Sequence, residues 1–116
     1  KQLISLCQDL YQYQRVGIFG LLKAQTAAMN LQTDLLMTGK QVESYVSYFQ
    51  QMDYILNADE NDLIIIFSYT GSYFEYENLR VLQKRLEAPK IWMITSIQEN
   101  YPYFVDEVLT FQSLQD

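Results

Sequence analysis

The sequence predicts an α/β domain, a three-layer αβα sandwich on a five-stranded parallel sheet, and three observations predict it. Short apolar runs alternate with stretches of helical periodicity along the chain, the pattern of a parallel sheet with helices on both faces. The strongest run, 63–67, is apolar without a break; a strand covered on both faces reads this way, whereas one with a wet face alternates. Finally, 116 residues of which 49% are apolar suffice for one domain with its own core. No internal repeat, low-complexity tract or Pro/Gly-rich linker divides the chain, so 1–116 reads as a single domain.

The elements follow in order. Leu3, Leu6, Leu10 and Tyr13 recur at helical spacing and predict a helix over 2–14, with Cys7 on or beside the stripe as buried packing. The apolar run 16–19, closed by Gly20, reads as a buried strand. Ala24, Ala28, Leu31 and Leu35 form the next helical stripe; its small residues allow close approach, and Gly39 is a natural stop. A short edge strand is expected at 41–44. Tyr48, Met52 and Ile55 predict a helix that ends before the polar stretch 57–61. After strand 63–67, a helix over 74–87 turns Leu79, Leu82 and Leu86 inward. It carries Glu75 and Glu77 near its start and Lys84 and Arg85 near its end, which suits the helix dipole. Beyond Pro89, strand 91–94 buries Trp92, a short helix occupies 101–105, and 107–111 is the last strand.

Composition narrows the chemistry. A net charge of −6 without a basic cluster argues against nucleic-acid binding by this segment, because such binding neutralises phosphates with Lys and Arg. There is no histidine, which removes the commonest acid–base catalyst and metal ligand, and the carboxylates have no metal-ligand spacing, so neither a metal nor a cofactor is expected. The single cysteine precludes an internal disulfide and points to the reducing cytoplasm. No apolar stretch is long enough to span a bilayer, so no membrane is expected among the partners.

In a parallel sheet, ligands bind beyond the carboxyl ends of the strands. The loops after 19, 67 and 94 meet there. The second opens with Ser68, Thr70, Gly71 and Ser72 between a strand end and a helix start. Unpaired amides and the dipole favour an anion at such a point, hydroxyls add donors without charge, and Gly71 permits close backbone approach. The same residues also serve as an ordinary turn and helix cap.

The segment "SYTGSYFE" after strand 63–67 resembles the signature of the SIS domain, the flavodoxin-like sugar isomerase fold, with Ser68, Thr70, Gly71 and Glu75 on its pattern. "VGIFGLLKAQTAAMNLQTDLLMTGKQV" is similar to the family's first strand, loop and long helix, and "IWMITSIQENYPYFVDEVLTF" to its later segment, where Thr95 and Asp106 match. The nearest likeness is to the effector domain of RpiR-type transcriptional regulators. That resemblance implies a phosphosugar ligand, a homodimer, and nucleic-acid contact only through an upstream helix-turn-helix domain; a chain that begins at Lys1 rather than Met fits removal of such a domain. Implied ligand-binding residues are Ser68, Thr70, Gly71 and Ser72, with Thr95, Ser96 and the cation Lys23.

The sequence departs from the family where its first loop has Gly-x-Gly-x-Ser. Here "GLLKA" puts Leu22 and Ala24 at the second Gly and the Ser, and Tyr73 replaces a Thr in the second loop. A lost hydrogen bond to a charged group costs on the order of 1.5–3 kcal/mol, so two losses weaken binding by about a hundredfold or more. The alternative reading is therefore an SIS-like domain that only dimerises. Aldose–ketose isomerisation would need Glu75 as its base, and without histidine the sequence reads as no enzyme. A cysteine phosphocarrier is disfavoured because Cys7 precedes the first strand.

Overall fold

The computed structural model describes residues 2–20, 24–45, 47–68, 87–96 and 104–114. In chain order these form α1 (Gln2–Gln12), β1 (Arg15–Gly20), α2 (Ala24–Leu36), β2 (Gln41–Glu43), α3 (Tyr48–Asn57), β3 (Asp62–Phe67), β4 (Lys90–Thr95) and β5 (Glu107–Thr110). A 3₁₀ turn, Phe111–Leu114, follows. The five strands make one sheet in the order β2-β1-β3-β4-β5, with every pairing parallel. The expected αβα sandwich is thus observed.

The unbroken apolar strands have the predicted cause. Along β3, Leu63, Ile65 and Phe67 pack with Leu6 of α1 and with Ala24 and Ala28 of α2, whereas Ile64 and Ile66 pack with Met52 and Ile55 of α3. Successive side chains point to opposite faces, and both faces are covered. Small residues at 24 and 28 let α2 lie close to β1. It ends as predicted: Gly39 has φ +85, and the amides of Thr38 and Gly39 donate to the carbonyls of Leu35 and Leu36.

Several expectations change. Cys7 is exposed rather than buried. Residues on a helix advance by about 100° each, and the buried face of α1 is centred toward Leu6 and Asp9, which leaves Cys7 at its margin beside the exposed Ile4 and Tyr11. A polar anchor sets that rotation: Asp9 Oδ2 accepts the buried Trp92 indole N–H at 2.8 Å and faces Lys90 Nζ at 2.7 Å. The short helix expected over 101–105 does not reach its described end, where Phe104 lies in a turn and Val105 is irregular, both buried. Asp106 holds this segment to β4, accepting the Ile91 amide on Oδ2 and donating its own N–H to the Ile91 carbonyl, each at 2.8 Å. The last strand stops at Thr110, and Phe111 instead stacks near Phe67. The helix expected over 74–87 lies outside the described residues except for Glu87, which is in a turn.

No helix among the described residues is long and apolar enough to cross a membrane.

Candidate functional site: the carboxyl rim of the sheet

The strand order places a topological switch between β1 and β3: the chain goes to one side of β1 for β2 and to the other for β3. At such a switch the loops leaving the two strands diverge and open a crevice at their carboxyl ends. The register fixes which residues border it. Gly20 lies opposite Phe67, and Phe67 opposite Ile94. Ser68 extends the ladder by one step, its N–H donating to the Ile94 carbonyl at 2.9 Å. Gly20, Ser68 and Thr95 therefore end three adjacent strands at one rim.

Gly20 brings a helix onto that rim. A Cβ at this position would stand 2.8 Å from the Ala24 carbonyl oxygen, so the first residue of α2 packs directly on the end of β1. Ala24 is itself buried. The amino end of α2, with the partial positive charge of its unpaired amides, is thus held beside the crevice.

On the opposite face, the first turns of α3 are tied to the same point. Gln51 is fully buried, and its Nε2 donates to the Gly20 carbonyl at 3.0 Å and to the Tyr45 carbonyl at 2.7 Å. The Gln51 amide N–H closes the first helical turn on the Ser47 carbonyl at 3.0 Å. Two helix amino ends therefore flank the tip of β1, one on each face. Sequence reasoning assigned Gln51 no role. The signal was present: a polar residue sits on the stripe of Tyr48, Met52 and Ile55, and burying its amide N–H groups there calls for acceptors such as the two carbonyls that Nε2 meets.

The predicted ligand residues divide as follows. Ser68 is buried at the rim, Thr95 is wholly buried at the end of β4 opposite Thr110, and the adjoining Ser96 is exposed. Lys23, Thr70, Gly71 and Ser72 lie outside the described residues, as do Leu22, Tyr73 and Glu75. Among the described residues, no group of three or more His, Cys, Asp or Glu side chains is placed to hold a metal ion.

A parallel five-stranded sheet with this order and rim belongs to the doubly wound α/β class. The family model described as the SIS domain matches residues 9–100, and the chain belongs to that family. A search of curated proteins finds no significant match. Among solved structures, the chain is similar to a protein of Bacteroides fragilis NCTC 9343, provisionally assigned as a phosphosugar isomerase involved in capsule formation. The two share 24% identity with a TM-score of 0.66 over 94% of this chain and 59% of that one. The chain thus spans less than two thirds of that protein's length, and the likeness at this identity is one of fold.

These comparisons correct one expectation. Missing histidine and an altered first loop suggested that the domain is no enzyme, but a protein assigned as an isomerase shares its fold over nearly the whole chain. Missing histidine does not by itself exclude proton transfer, since a carboxylate also moves protons.

Proposed function

We propose that this SIS domain binds a phosphorylated sugar at the rim formed by Gly20, Ser68 and Thr95. The observation that carries the reading is the packing of the first residue of α2 on Gly20, which holds a helix amino end at the tip of β1, next to the end of β3. An anion is the natural ligand there, because amides and dipole act together without a fixed positive charge. Lys23, Thr70, Gly71, Ser72 and Ser96 complete the binding set in this reading. Ala24 and Tyr73 each cost a hydroxyl of the family's pattern, one from each loop, so the affinity is modest.

The wider context we propose is the effector domain of an RpiR-type regulator, dimeric and attached to a DNA-binding domain. The family resemblance of the second loop supports it, as do apolar side chains left open on α1 and after α2: Ile4, Tyr11 and Met37 are 63%, 87% and 85% exposed. A second reading, favoured by the fold shared with the Bacteroides protein, is sugar-phosphate isomerisation with Glu75 as the base. Both begin with the same binding step.

The test is thermal unfolding with hexose, pentose and amino-sugar phosphates. Ligand at about a hundredfold excess over its dissociation constant stabilises by about 2.7 kcal/mol. A phosphosugar that raises Tm where its unphosphorylated sugar does not is the expected result; no shift from any compound contradicts the proposal. Aldose–ketose turnover that vanishes in Glu75→Gln selects the isomerase reading.

A further inference from the structure

A second concavity, independent of the rim's proposed ligand, lies between α3 and the edge strand β2. It has a volume of about 860 Å³, and its lining includes Arg15, Glu43, Tyr45, Phe49, Asp53 and Tyr54. Its aromatic wall is continuous. Tyr45 and Tyr54 have ring centroids 6.0 Å apart, and Phe19 backs both, at 6.1 and 5.4 Å. Gly17 makes room for this wall, since a Cβ there would meet the Tyr54 ring at 2.8 Å. Phe49, at the open side, is 85% exposed.

The charge of the groove is unbalanced. Arg15 is already engaged, its Nε 2.9 Å from Asp62 and its Nη2 3.2 Å from Asp59. Glu43 accepts the Tyr45 hydroxyl at 2.8 Å, and Asp53 accepts the Asn57 amide at 3.3 Å. Neither carboxylate has a cationic partner among the described residues. The tyrosines register the resulting field. Burial and then the carboxylates of Asp62 and Glu43 push the Tyr54 phenol up to about 12. The bond to Glu43, then burial, then Glu43 and Asp53, raise that of Tyr45.

Aromatic faces beside unmatched carboxylates select a cation, and a planar guanidinium best of all, because it stacks on a ring while hydrogen-bonding a carboxylate. The neighbouring β2 adds a second recognition element. It pairs with β1 on one side and with no strand among the described residues on the other. An extended chain can lengthen a sheet at such an edge, with its alternate side chains entering adjacent pockets.

We propose that this groove docks a basic, extended segment of a partner protein, which pairs with β2 and inserts an arginine or lysine side chain between the aromatic wall and the carboxylates of Glu43 and Asp53. A two-residue contact of opposite charge makes the binding salt-sensitive. The acidic chain, at net charge −6, adds attraction for such a partner.

The test is an amide chemical-shift titration of the full chain with a capped peptide of alternating valine and arginine. Its citrulline counterpart and arginine amide serve as controls. The arginine peptide is expected to shift the amides of 41–43 and 49–54. Binding should be about tenfold or more weaker for the citrulline peptide, for arginine amide, and for the Glu43→Gln/Asp53→Asn chain. Equal binding by the citrulline peptide overturns the cation site, and equal binding by arginine amide overturns the strand pairing. Shifts confined to other surfaces, or none, overturn both. The double variant replaces two partly exposed or exposed side chains with isosteres, and its spectrum reports directly whether the fold is retained.

Discussion

Gly20 illustrates how much of the site hangs on one residue. Its importance is spatial rather than conformational, because Gly39 alone among the described glycines has a positive φ. Gly20→Ala would put a methyl 2.8 Å from a backbone oxygen of Ala24 and 3.2 Å from its Cβ. Neither the end of β1 nor the start of α2 can yield without moving the rim. The substitution should cost about 1–3 kcal/mol, as overpacking does, and should also abolish any phosphosugar-induced rise in Tm. Chemical unfolding with and without ligand measures both. An unchanged ligand response in Gly20→Ala would mean that α2 takes no part in binding. Gly20 was legible in the sequence as the close of an apolar run. Its contact with Ala24 was not, because the distance between a strand end and a helix start depends on how the loop between them folds.

At the scale of elements, β1, β3 and β4 were readable because burial on both faces leaves an uninterrupted apolar signature, whereas the edge strand β2, in which Val42 alone is buried, lacks it. The helices were readable as stripes, but the orientation of α1 was not. Its apolar residues alone are compatible with a face that includes Cys7. Asp9 decides otherwise, by meeting the Trp92 indole and the Lys90 ammonium across the sheet. A sequence pattern treats Asp9 as a surface residue, since it cannot show that a donor 83 residues away lies above it. Asp9→Ala should therefore loosen α1: it leaves a buried indole N–H without its acceptor, at a cost of about 1–3 kcal/mol. Urea unfolding followed by the fluorescence of Trp92, the single tryptophan, gives the value. Full stability in Asp9→Ala would show that apolar packing alone orients the helix. The segment 69–86, which holds the hydroxyl cluster and Glu75 in the helix predicted from the sequence, lies outside the described residues, so this part of the site rests on residue pattern and family resemblance.

At the scale of the whole molecule, alkaline pH is the solution condition that the shifted groups single out. Tyr54 has its pKa raised from 10.0 to about 12, chiefly by burial. The folded protein thus keeps a proton that the unfolded chain releases, and the associated stability is complete below about pH 10 and lost as pH rises toward 12. Lys90, raised above its ordinary 10.5 first by its bond to Asp9, acts in the same direction: its contribution is present below 10.5 and lost as pH rises through the folded value. Alkaline unfolding should be less steep in Tyr54→Phe, as read by ellipticity against pH. Identical profiles would mean that Tyr54 ionises as an exposed tyrosine does.

The parallel order β2-β1-β3-β4-β5 is what gathers these local features into the proposed site, because it carries Gly20, Ser68 and Thr95 from distant parts of the chain to one end of the sheet. The most direct test of that claim is an amide chemical-shift titration with a panel of sugar phosphates. Binding at the rim predicts saturable shifts at Gly20, Ala24, Ser68 and Ser96, absent with the unphosphorylated sugars. Phosphosugars that leave those four amides unmoved, or that shift only residues elsewhere, would contradict it.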